Sequence, residues 1–332
     1  MSLLKYLLTG FIFLFVIFMS VFIEYLASYS KKIFNNKLNK RREIGDITLL
    51  KKQFFNKVVM PETASAVIVV WAPILALSAL IPISTTIPLF SFIPYLQINT
   101  DLLQIVQFFL LSDVFAVLAI CALGTKTSRQ MAKEMTKEFA YLFFFIFVFF
   151  TVIAIYIDKT SKITDAFKLN SLALSGLIST ENFLIYAVLI FISIIIFSLL
   201  PHEESKYSNY LVNDDVLIEF QGAPRAMLSL WLLFRSFLLI SIILIMIFPF
   251  TNTFSYSQNI NIPWFLKVIN FLVYFVAIIF MRIFVIPIFW AARNKLKQKL
   301  PRFLSCILFH LIIVLIICFV FVLNLQPNLF RA

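Results

Sequence analysis

The chain has 332 residues, 62% of them hydrophobic, with a formal net charge of +12 and a mean hydropathy of +0.99. Its charged share of 13%, against roughly 25% in soluble domains, excludes the ordinary globular class. Three cysteines lie in apolar runs without a CxxC pair, and the two histidines are far apart. This excludes a disulfide framework, an iron–sulfur cluster or a metal site of known spacing, so no cofactor is expected in this chain itself.

Apolar runs of about 18 residues or more read as transmembrane helices, because a bilayer core of about 30 Å takes about 20 residues. Eight occur, near 3–27, 64–83, 102–123, 139–158, 182–200, 226–250, 264–287 and 303–323. A barrel strand would give only about ten residues of alternation. The expected fold is therefore an all-α integral membrane protein, residues 1–332 forming one polytopic domain. With 41 Phe and only 5 Gly, its helices must pack mainly through Phe and Leu, since small-xxx-small contacts are scarce.

The first run is longer than the about 7–15 apolar residues of a signal peptide, and YLASYSKK after it is a poor cleavage site. It is expected to remain as a span, with Glu24 at its end. Asp113 sits in the middle of the third run, where a charge costs about 2.5–3.5 kcal/mol on insertion scales. It should face other helices, either as a structural hydrogen-bonding group or on an ion path. Before the fourth run, TSRQMAKEMTKEFAYLF sets Arg129, Lys133 and Lys137 along one helical row and Glu134 and Glu138 along a second. Glu203 and Glu204 follow the fifth run. VNDDVLIEFQG, residues 212–222, then precedes the sixth with Asp214, Asp215 and Glu219. On a helix Asp215 and Glu219 share a face with Gly222, and could hold one proton between them or simply favour the next helix's N-terminus. Arg282 lies near the end of the seventh run; it and Glu24 can each snorkel to the interface.

Loops 28–63, 124–138, 201–225 and 288–302 hold 20 of the 28 Lys and Arg, against six on the opposite side. The positive-inside bias makes these loops cytoplasmic and puts both termini outside, in an inner (cytoplasmic) membrane crossed several times. The basic charge is thus a topology signal, and nucleic acid is not needed to explain it. The same loops carry ten of the sixteen acids. These make either a solvated face or a functional cluster, since desolvation beside a span favours protonation of a carboxylate.

At these residues the chain resembles the eight-span membrane subunit shared by respiratory complex I (subunit 1, or H in bacteria) and the energy-converting nickel–iron hydrogenases, including formate hydrogenlyase subunit 4. The likeness is greater to the hydrogenase branch. VNDDVLIEFQG is similar to the family's VHEAMILEYSG: Glu219 and Gly222 match, Asp214 takes the place of an acid, and Asn213 replaces a His. Arg129 and Glu138 repeat the spacing of an Arg and a Glu between the third and fourth spans. LLKKQFFNKVVMPETASAVIVVWAPILAL (49–77) resembles the basic segment leading to the second span. Glu24 matches the acid ending the first span, and RIFVIP (282–287) resembles the RxFRVP end of the seventh. PHEESKYSNY is shorter than the corresponding family loop, and Phe275 stands near the place of a seventh-span acid.

The resemblance implies a connector without a cofactor of its own. Soluble iron–sulfur or hydrogenase-like subunits would dock on the cytoplasmic loops, and antiporter-like membrane subunits would adjoin it. It also implies roles: Asp214, Asp215 and Glu219 as relay acids, Glu203 and Glu204 as an outer step, Arg129 and Glu138 as a charged strut, and Glu24 closing the floor. Asp113 is a further candidate for the ion path. A stand-alone secondary transporter would instead need midplane polar residues, broken helices and internal repeats; only Asp113 fits. A membrane prenyltransferase would read NDD at 213–215 as a magnesium site, but the other acids, Asp158 and Asp165, fall on the opposite side.

Overall fold

The computed structural model describes residues 2–34, 47–86, 102–158, 192–193, 220–247 and 264–288. Two expected spans, 182–200 and 303–323, lie outside these residues except for Ile192 and Ser193. So do the acids Glu203, Glu204, Asp214, Asp215 and Glu219.

The described chain is helical. In order come α1 (Ser2–Phe34), α2 (Ile47–Phe55), α3 (Ala66–Ser78), α4 (Ile81–Thr86), α5 (Leu102–Cys121), α6 (Lys126–Asp158), α7 (Ala223–Ile247) and α8 (Trp264–Phe280). A π-helical turn, Met281–Val285, continues α8. Among the described residues there is no strand, only an isolated antiparallel bridge between Val59 and Gln221. Among the described residues, four helical stretches are long and apolar enough to cross a membrane: Gly10–Ala27, Ala66–Ser84, Leu103–Cys121 and Ala223–Leu244. Their composition suits a bilayer environment.

α7 is the axis of the bundle. Within its apolar window 89% of residues are buried, against 33–44% in the other three, and it touches α1, α2, α3 and α8. A helix apolar all round belongs in an interior, and an outer helix needs only one packed face. Large aromatic groups fill the joints, as the small number of glycines requires. Phe13 meets Phe234 edge to face at 5.5 Å, and Phe139 meets Trp231 at 5.9 Å. The Tyr274 hydroxyl donates to the Ser241 carbonyl at 2.8 Å and ties α8 to α7.

One end of the bundle is stitched into a rim. The Thr63 hydroxyl donates to the Leu123 carbonyl at 2.9 Å, and the Ser65 amide donates to that of Ala122, also at 2.9 Å. The Val59 and Gln221 backbones exchange hydrogen bonds at 3.3 and 3.1 Å. Two glycines make these approaches possible. Gly124 has φ +72° and a Cβ there would lie 2.7 Å from the Thr63 carbonyl oxygen; Gly222 has φ +95° and its Cβ would lie 2.8 Å from the Val58 Cα. Gly222 is therefore not on a helical face shared with Asp215 and Glu219, as the sequence spacing suggested. Its positive φ breaks any helix there, and α7 starts at Ala223.

Candidate functional site: two buried ion pairs between helices

Asp113 lies near the middle of α5, and Arg235 near the middle of α7. The guanidinium forks onto the carboxylate, with Nε–Oδ1 at 2.5 Å and Nη2–Oδ2 at 2.6 Å. Both side chains are buried. Two parallel charge-assisted bonds are the strongest and most directional form of this contact. The Arg235 guanidinium carbon also sits 4.6 Å from the centroid of the Phe139 ring and 5.9 Å from that of Trp231, so aromatic faces meet the cation from α6 and from α7 itself. Its Nη1 has no hydrogen-bond acceptor among the described residues.

A neutral relay runs beside the pair. The Trp231 indole N–H donates to Ser112 Oγ at 2.6 Å, and the Ser112 hydroxyl donates to the Ala76 carbonyl at 2.8 Å. Ala76 has this carbonyl to offer because α3 is ending. The amide of Leu80, which a continued helix would aim at Ala76, turns to Leu77 instead. Adjacent residues Ser112 and Asp113 thus bind α5 to α7, and Ser112 also binds α3.

The second pair joins Glu24 near the end of the apolar part of α1 to Arg282 in the π-helical turn after α8. Both are buried, Glu24 at 3% and Arg282 at 7% exposure. The sequence allowed each to snorkel to the interface; the structure shows that they bond to each other. A π turn inserts one extra residue and rotates the side chains around the helix axis, which sets where Arg282 lies on its helix.

No protein-family model and no characterised protein matches the chain.

Of the residues singled out from sequence, the structure brings Asp113 and Glu24 into buried pairs. Arg129 and Glu138 are not brought together: both lie on α6, nine residues apart, which is about two and a half turns and so opposite faces. Arg129 is exposed and Glu138 half-buried. Sequence reasoning named no partner for Asp113 or Glu24. The available signal was that Arg235 and Arg282, like Asp113 and Glu24, are charges set inside apolar runs, where an unpaired charge is costly and a partner of opposite sign is expected. Among the described residues no group of His, Cys, Asp and Glu is gathered in a way that could hold a metal ion. Chemically, the arrangement positions opposite charges inside the bundle and ties α5 to α7 and α1 to the turn after α8.

Proposed function

We propose that this chain is the eight-span connector subunit of a complex I-like or energy-converting hydrogenase-like oxidoreductase. In this reading it crosses the inner membrane with both termini outside and docks a soluble iron–sulfur module on its basic loops. Redox events in that module change the charge state of carboxylates at the span entrances, and this drives proton or sodium translocation through adjoining antiporter-like subunits.

The supporting observation is a pair of meetings. Segments 49–77 and 212–222, each similar to the family on its own, touch at the Val59–Gln221 bridge and at Gly222. Glu24 and RIFVIP, also matched separately, join through the Glu24–Arg282 ion pair. Local likenesses arising by chance at separate places in a chain have no reason to become spatial neighbours.

Mild-detergent purification from native membranes should recover the chain in a larger complex containing iron–sulfur proteins. Recovery as a monomer that transports ions by itself in liposomes would overturn the connector reading. It would favour a secondary transporter, for which the buried Asp113–Arg235 pair is the supporting feature.

Within the complex, Glu219→Gln keeps shape and removes a titratable proton. As a relay acid, Glu219 is needed for ion uptake into vesicles, so uptake should fall severely while the complex assembles and the soluble partner still turns over. An N-terminal acid acting only on the helix dipole is worth about 0.3–1 kcal/mol, and its loss would leave uptake close to normal. Normal uptake would thus reduce VNDDVLIEFQG to an interfacial cap.

A further inference from the structure

We infer that the first half of α6 lines a water-filled cleft that enters the bilayer from the rim and reaches about half its depth. Such a cleft is a matter of hydration alone and is compatible with a connector or a transporter.

The hairpin of α5 and α6 sets the depth. α5 ends at Cys121 and α6 begins at Lys126, and Gly124 turns the chain between them with φ +72°. The two helices pack on each other, and Phe139 reaches the Asp113–Arg235 pair in the middle of α5 and α7. From Asp113 to the end of α5 the helix covers about 12 Å, so the part of α6 that runs back beside it, between the rim and the level of that pair, is about residues 131–138. Residues 126–130 extend past the end of α5.

The outer surface at this depth has two characters. On α3 and α5 it is apolar: Val67, Ile68 and Trp71 are exposed from the rim inward, as are Leu111, Val114 and Leu118. Lipid covers such a face, so hydrocarbon reaches nearly to the rim on that side. On α6 the exposed positions at the same depth are Lys133, Thr136 and Lys137, with Arg129 and Gln130 exposed at the rim itself. Past Phe139 the exposed face of the same helix turns apolar, with Tyr141, Phe144 and Phe147.

Lys133 and Lys137 stand one turn apart here, and an ammonium facing hydrocarbon is strongly disfavoured. A protein interface would have an apolar or aromatic core, and none of these three positions supplies one. Water satisfies all three. The cleft closes where Phe139 covers the cation of Arg235, so it stops short of the buried pair.

The test is cysteine modification in native membrane vesicles by a membrane-impermeant methanethiosulfonate. The background variant has Cys121, Cys306 and Cys318 replaced by serine, and each variant adds one cysteine. Gln130→Cys and Thr136→Cys should react at comparable rates. Leu111→Cys and Leu118→Cys, at similar depth on α5, should react at least about a hundredfold more slowly, because only the thiolate reacts and a thiol in hydrocarbon is scarcely ionised. Protection of Thr136→Cys to the level of Leu111→Cys would overturn the cleft, whether lipid or a neighbouring protein covers it. Rapid reaction of the α5 cysteines would overturn it too, by placing that end of the bundle outside the bilayer.

Discussion

Arg235→Leu is expected to destabilise the bundle by about 3–5 kcal/mol, because it leaves the buried Asp113 carboxylate without its counter-charge. The loss should appear as a lower melting temperature and a smaller monodisperse fraction of the detergent-solubilised protein. Asp113→Leu alone should do similar damage, since the guanidinium then stays buried against Phe139 with both of its carboxylate bonds gone. The double variant, Asp113→Leu with Arg235→Leu, removes both desolvation costs together and should recover most of the stability of the native chain. A double variant as unstable as the worse single one would show that the pair does more than balance charge. If Asp113 also lies on the ion path, the recovered double variant will assemble and fail to move ions, which separates the structural role from transport.

Gly222→Ala is the second large effect expected. The added methyl would stand 2.8 Å from the Val58 Cα, and the backbone keeps φ +95°, where side-chain-bearing residues are strained. Strain of this kind costs on the order of 1–3 kcal/mol, and the contact is with backbone that cannot rotate away. The expected result is lower thermal stability together with opening of the Val59–Gln221 bridge, read as faster amide exchange at those two residues. Gly10→Ala is the control: nothing lies within 4 Å of its Cβ, and inside α1 the change should be neutral or stabilising by up to about 1 kcal/mol. Equal effects at the two positions would show that the close approach of 56–59 to the foot of α7 contributes little.

Local composition was enough to reveal the helices and the medium they suit. Runs such as AVIVVWAPILALS and LLQIVQFFLLSDVFAVLAIC can satisfy their backbone in hydrocarbon only by becoming helices, and the described spans coincide with those runs to within a few residues. The amphipathic rows of 127–143 were likewise legible, because a period near 3.6 belongs to one helix.

Which charges meet was decided only by tertiary packing. Asp113 and Arg235 are 122 positions apart, and Glu24 and Arg282 are further still. Periodicity ranks the faces of one helix and carries no information about which face of another it meets. The depth of the charged half of α6 was hidden for a related reason. A hydropathy window treats each segment as if it stood alone, and the tight turn at Gly124, which folds that half back along α5, is a property of two helices and the loop 61–65 that receives them. The sequence by itself thus determined helices, their apolar spans and the imbalance of charge. The partners of Asp113 and Glu24, and the level at which Arg129, Lys133 and Lys137 stand, came from three-dimensional contact, where the cost of an unpaired charge in a low-dielectric interior selects the arrangement.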